Sequence, residues 1–371
     1  MTNYYEETMP EIINKDEYLN YYIDESLPLI NRLKTILQKG EPIQKQALIS
    51  KLSIYKTTSL FNELIEYIIN DIQTWDKETI FLFPQKIYTL INQNESSIIE
   101  LFGQKLFNKI IKYYITIISS TDEEISNNYI FYFDKMIDYF NSKVITFPYK
   151  INDDIYDEII ALGKFGQSIR NRKLSIFLCC GFIRLLKDIN NQNVKKLFDR
   201  ICFLFCDNEK EVEMQLSKEI EYLLQIFKND SLNNNEVLNS ITCYINNDTN
   251  HIIQSTTIIS LVKNFYLIDN DKLIMNVLDK IKEIFEAESN YEKKYKNDIF
   301  YEIILMIYYN YKKLNYKKSK ALLFDNNIII NFIFDNKTEI LILDNLIKFF
   351  FFLMKYILIL NKKIILIIKI I

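Results

Sequence analysis

One apolar stripe recurs along this chain, and its spacing restricts the fold more than any other feature. From Val212 the side chains Val212, Leu216, Ile220, Leu224 and Phe227 stand at offsets 0, 4, 8, 12 and 15, the pattern of a helix that buries one face. The same offsets run from Ile125 through Tyr129, Phe133, Ile137 and Phe140, and from Ile299 through Ile303, Ile307, Tyr311 and Leu314. These starts lie 87 residues apart, which is two units inside the period of roughly 40–47 residues typical of helical-hairpin repeats. Intermediate starts at Ile169 and Ile252, earlier ones at Ile43 and Ile80 and a later one at Ile340 fill the series, with steps of 37, 45, 44, 43, 40, 47 and 41 residues.

Each such helix needs a partner, because neither member of a pair can bury its apolar face alone. "VKKLFDRICFLF" supplies one before the central stripe, with Val194, Leu197, Phe198, Ile201, Cys202 and Phe205 at helical spacing. Between the two lies a knot of charge, "CDNEKE", whose Asp207, Glu209 and Glu211 have the chemistry to hold a metal or move a proton. A corner explains them better: an Asp, Asn or Thr before a helix accepts from its orphan amides, and acids in the first turn suit the helix dipole. "TDEE" (Thr121 to Glu124) and "NEKE" (Asn208 to Glu211) both follow the spacing of the reciprocal capping box.

The expected architecture is therefore an all-α solenoid of armadillo-like helical hairpins, roughly eight, over residues 21–345. An acidic polar stretch, 1–20, precedes it, and an apolar segment interrupted by lysines, 346–371, follows. Composition agrees: the chain has five glycines and five prolines, too few for hairpin-rich β folds. Forty-five basic and 48 acidic residues leave a net charge of −3, so no global field attracts a polyanion, and nucleic acid is not expected as the partner. Residues 1–20 lack the basic start and apolar core of a secretory signal, so Cys179, Cys180, Cys202, Cys206 and Cys243 are expected to be reduced thiols in a cytoplasmic protein, with the nucleus as the other location.

Enzymatic chemistry finds little to stand on. His251 is the single histidine, and beside "NDTN" it reads as part of a helix start. Cys202 and Cys206, with Cys179 and Cys180, offer no paired zinc spacing and sit among Phe, Leu and Ile as small hydrophobes. No phosphate-cradling glycine motif occurs, and Gly163 with Gly166 reads as a turn between helices. Asp122, Glu123 and Glu124 read as caps. "YKKLNYKKSK" (Tyr311 to Lys320) reads as a solvated face. Lys355, Lys362 and Lys363 break the tail from Phe349, so no run long enough to span a membrane is expected there. The expectation is a non-enzyme without cofactor or metal.

Across residues 161–227, "ALGKFGQSIRNRKLSIFLCCGFIRLL" and "KLFDRICFLFCDNEKEVEMQLSKEIEYLL" resemble HEAT repeats of the regulatory and scaffold subunits of the phosphatase 2A and 4 group. Asp207 and Val212 match the turn Asp and following Val of that repeat, and Ile169 with Arg170 matches its apolar-basic pair. Glu213 stands where a base is usual. The resemblance implies a scaffold that binds a serine/threonine phosphatase catalytic subunit and directs its location or substrate choice. The contacts it implies are the basic start Arg170, Arg172 and Lys173 and the turn Asp207, Asn208 and Glu209. An adaptor of another class, such as a nuclear-transport receptor, is the alternative.

Overall fold

The computed structural model describes residues 26–310 apart from 57–59, 94–97, 121, 143–148, 189, 228–234, 248 and 287–292. The described residues form fifteen α-helices and no strand, an all-α fold of solenoid type. They divide into two compact units between Ile159 and Ile160. That division was not foreseen from sequence, where 21–345 reads as one array. The tail from Phe349, "YKKLNYKKSK" and the start at Ile340 lie outside the described residues.

The first unit contains α1 (Leu29–Lys39), α2 (Pro42–Ser50), the single turn α3 (Leu52–Tyr55), α4 (Leu60–Asp71), α5 (Lys77–Gln93), α6 (Ile98–Ile118) and α7 (Glu123–Ser142). Helix α8 (Asp153–Leu162) crosses the boundary. The second contains α9 (Ile169–Leu186), α10 (Gln192–Leu204), α11 (Lys210–Phe227), α12 (Asn235–Ile245), α13 (His251–Lys263), α14 (Asp271–Glu286) and α15 (Lys293–Asn310). Within the first unit α1 packs on α4 and α4 on α6, while α2 packs on α5 and α5 on α7. Within the second, α9, α11, α13 and α15 stack in sequence, and α10, α12 and α14 form the other layer. The second helices of the seven hairpins begin at Pro42, Lys77, Glu123, Ile169, Lys210, His251 and Lys293, in steps of 35, 46, 46, 41, 41 and 42 residues.

The stripes are what hold the layers together. Val212, Leu216, Ile220, Leu224 and Phe227 are all buried, as are Tyr129, Phe133, Ile137, Phe140, Ile299 and Ile303. Removing a Leu or Phe side chain from water contributes about 1.5–3 kcal/mol, so one stripe outweighs every surface contact of its helix. Tyr311 and Leu314, and the side chain of Ile307, lie outside the described residues. Ile43 and Ile252 are exposed. Each is the second residue of its helix, so these two mark starts and not core.

Pro84 sits inside α5. It has no amide to give the carbonyl of Ile80, one turn earlier. The Tyr129 hydroxyl of α7 donates to that carbonyl at 3.2 Å, and Asn128 Nδ2 donates to the next one, on Phe81, at 3.0 Å. A break in one helix is thus repaired by the helix stacked on it.

The entry to α8 is fixed by amide side chains. Gly103, at φ 63°, kinks α6 in a conformation glycine tolerates. Beyond it, Gln104 Oε1 accepts from Lys150 N at 2.9 Å, Asn108 Nδ2 donates to Lys150 O at 2.9 Å, and Asn108 Oδ1 accepts from Asn152 N at 2.9 Å. Lys112 pairs with Asp154 at 2.8 Å. Four residues of helix advance about 6.0 Å and two of extended chain about 6.6 Å. Rungs at 104, 108 and 112 therefore meet 150, 152 and 154 in register, and the Tyr149 ring stacks on Phe107 with centroids 3.9 Å apart.

Candidate interaction surface

The charged corners do two jobs with one carboxylate. Asp76 caps α5, accepting from Thr79 N at 2.9 Å and Thr79 Oγ1 at 2.5 Å, and also accepts from Gln46 of the preceding hairpin at 3.2 Å. Burial opposes its ionisation, but these hydrogen bonds outweigh burial and hold the carboxyl below its ordinary range. Asp122 accepts from Ile125 N at 3.0 Å to cap α7 and lies 3.8 Å from Lys77 of the preceding hairpin. Asp207 accepts from Glu209 N at 3.1 Å, and its Oδ2 meets Arg172 Nε of the preceding hairpin at 2.7 Å. Asp76 and Asp122 cap their helices, Asp207 closes the turn ahead of its helix, and each ties its corner to the hairpin before.

The Asp207 pair is the buried member of this series. Its side chains are 3% and 10% exposed. Arg172 also donates to Gln167 O at 2.7 Å, which anchors the loop ahead of α9. Beside it, Lys173 pairs with Glu211 at 2.7 Å on the surface, and the ammonium holds the Glu211 carboxyl below its usual range. Glu211 reaches outward to Lys173, and Asp207 closes the turn through Glu209 N ahead of α11, so the spacing of "NEKE" marks the corner correctly but misassigns its hydrogen bonds. At the other corner Asp122 supplies the cap, and Thr121 lies outside the described residues. Burial pushes Glu213 up, with Lys210 opposing and Asp207 reinforcing. Burial also raises the hydroxyl of Tyr244, whose neighbours include Glu213 and Asp207.

Of the six residues expected to contact a partner, Arg172 and Asp207 are therefore buried against each other. Lys173 is bound to Glu211 at its tip. Arg170 is half-buried, while Asn208 and Glu209 are exposed. Arg170 and Lys173 open α9, and Asn208 and Glu209 open the corner before α11. The Arg172 to Asp207 contact brings these two helix starts together.

The other candidate residues fall into place locally. Asn250 caps α13, accepting from Ile252 N at 3.1 Å and Ile253 N at 3.2 Å, with His251 as the first helical residue. Cys179, Cys180 and Cys202 are buried, and burial raises the Cys179 thiol to about 12. Cys206 is exposed, contrary to the expectation that it packs as a small hydrophobe, because it lies in the corner past the end of α10. Among the described residues no group of three or more His, Cys, Asp or Glu is placed to hold a metal, and no helix is long and apolar enough to cross a membrane. Gly163 and Gly166 lie in the turn between α8 and α9. A Cβ at Gly163 would meet Ser175 Oγ at 2.7 Å and Arg200 Cδ at 2.9 Å, whereas one at Gly166 would meet nothing within 4 Å.

That turn carries what the motif search missed. Residues 159–187 contain Lys164, Arg170, Arg172, Lys173, Arg184 and Lys187 and no acid, in a chain of net charge −3. A running charge count would have found the stretch. It would not have found Phe165 and Phe203, which are 49% and 42% exposed and whose ring centroids lie 4.5 Å apart. The guanidinium of Arg200 lies over Phe203 at 5.0 Å.

No family model matches the chain, and no curated protein matches it. Among solved structures, the crystal structure of an engineered protein is similar at 11% identity and a TM-score of 0.38, over 84% of this chain and 81% of that one. At that score the likeness bears on neither fold detail nor function.

Proposed function

We propose that the chain is a non-catalytic helical-repeat scaffold that binds a serine/threonine phosphatase catalytic subunit and directs its location or substrate choice. The observation that carries this reading is the resemblance of residues 161–227 to regulatory subunits of the phosphatase 2A and 4 group. The tied hairpins support it. Stacked second helices with capped, cross-linked starts give a rigid edge on which exposed turn residues keep fixed spacing, and rigid presentation lowers the ordering cost of binding. Arg170, Lys173, Asn208 and Glu209 are the contacts proposed on that edge. Arg172 and Asp207 hold it in shape. Affinity purification of the tagged full chain, with the bound proteins identified by mass spectrometry, tests the proposal. Recovery of a phosphatase catalytic subunit is expected, and recovery of a small GTPase in its place would move the chain to the transport class.

A further inference from the structure

We infer that the Phe165 and Phe203 pair, with the cations around it, is a docking site for a short acidic segment of a partner protein that carries one large apolar side chain. The inference deepens the scaffold reading and rests on it. Other large apolar side chains are exposed on the described residues, among them Ile252 and Met275 in the same unit, but no ring contact joins those two. Phe165 and Phe203 come from different elements, the turn before α9 and the last turn of α10, and their exposed rings adjoin with planes tilted by 46°. Two adjoining exposed rings offer an apolar anchor point of the kind that dominates small interfaces.

Charge selects the occupant. Arg200 lies over Phe203, and Lys196 stands one turn earlier on the same face of α10. Lys164 precedes Phe165, and Arg170 follows in the first turn of α9. Lys164, Lys196 and Arg170 make no ion pair with any described residue, unlike Arg172 and Lys173. Gly166 leaves the approach to the turn open, since even an added Cβ would meet nothing within 4 Å. The field over the rings is positive, and the segment that fits it places carboxylates on these cations and an apolar side chain on the rings. Asp199 lies one turn before Phe203 on α10, the exposed Glu209 stands in the corner that the Arg172 to Asp207 contact brings to the start of α9, and Glu211 occupies Lys173. These acids interrupt the positive track, so a short acidic peptide suits it better than a continuous polyanion such as RNA.

The test uses the full chain and three fluorescent probes: a peptide of Asp and Glu around a central Leu-Phe, the same peptide with Ser-Ser at the centre, and an oligouridine of equal charge. Saturable binding of the Leu-Phe peptide is expected, weakened about tenfold or more by Phe203→Ala and by Lys164→Glu, and tightened by Asp199→Lys. All three positions are exposed, so circular dichroism should report unchanged helicity. No binding of the Leu-Phe peptide, equal binding of the Ser-Ser peptide, stronger binding of the oligouridine, or indifference to Phe203→Ala each overturns the inference. Peptide binding with no phosphatase recovered from cells would sink the phosphatase reading alone. Phosphatase recovery unchanged by Phe203→Ala, with the peptide unbound, would sink the docking site alone.

Discussion

The same two helices, α9 and α11, are joined by one buried and one exposed ion pair, and this gives an internal control for what the charged corner does. Asp207→Ala removes the carboxylate from a contact whose side chains are 3% and 10% exposed, and leaves Arg172 a buried cation with its main counterion gone. Breaking one side of such a pair costs about 3–5 kcal/mol. The lost turn bond to Glu209 N adds little, since Glu209 is exposed and water can take the amide. Glu211→Ala breaks a pair whose side chains are 36% and 64% exposed, where water screens both charges, and should cost far less than Asp207→Ala. The double variant Asp207→Ala with Arg172→Leu removes both charges, so its cost should fall well short of the sum of the single costs. Urea unfolding followed by circular dichroism measures all of these. Hydrogen exchange should localise the Asp207→Ala effect to α9, α10 and α11 and leave α2 and α5 unchanged, because stacked repeats touch only their neighbours. Equal costs for Asp207→Ala and Glu211→Ala, or strict additivity in the double variant, would refute the claim that the buried pair ties the hairpins.

Two further outcomes follow from the first unit. Tyr129→Phe keeps the ring but strands the Ile80 carbonyl that Pro84 cannot serve, and should lower stability by about 1–3 kcal/mol in thermal unfolding, with an unchanged midpoint counting against the repair. Asp76 has its folded-state pKa depressed below the ordinary 3.8. Its contribution is thus fully present above that ordinary value and is lost as pH falls through the folded one. Asp76→Asn should therefore flatten the loss of stability measured as pH falls below 3.8, and an identical slope in the variant would contradict the assignment.

The stripes made the fold legible. A stripe at offsets 0, 4, 8, 12 and 15 can bury only one helix face, and its recurrence at 87 residues fixed hairpin size before any contact was known. Two starts, Ile43 and Ile252, were placed correctly within their helices although their side chains are exposed, because polar-to-apolar transitions mark a boundary and not a depth. The division between Ile159 and Ile160 left no such mark. It falls inside α8, where the sequence runs through Ile159, Ile160, Ala161 and Leu162 without a polar break. The amide ladder from Gln104 and Asn108 was equally silent, since Gln and Asn on a helix face are read as solvated until an extended segment is laid beside them.

The interaction surface was half legible for a related reason. Partners across hairpins lie about one repeat away: 35 residues for Arg172 and Asp207, 38 for Lys173 and Glu211, 42 for Lys112 and Asp154, and 42 for Lys263 and Glu221. The repeat period therefore bounds where a counterion lies but does not choose the register. An offset of 38 would set Arg172 against Lys210, and an offset of 35 would set Lys173 against Asn208. Adjacent residues need different offsets because one partner sits in the corner and the other already in the helix. Arg170 is the instructive case: the two offsets that serve its neighbours place it against Phe205 or Asn208, neither of them acidic. The repeat supplies a counterion for Arg172 and for Lys173 but not for Arg170, so its charge remains for whatever binds the turn.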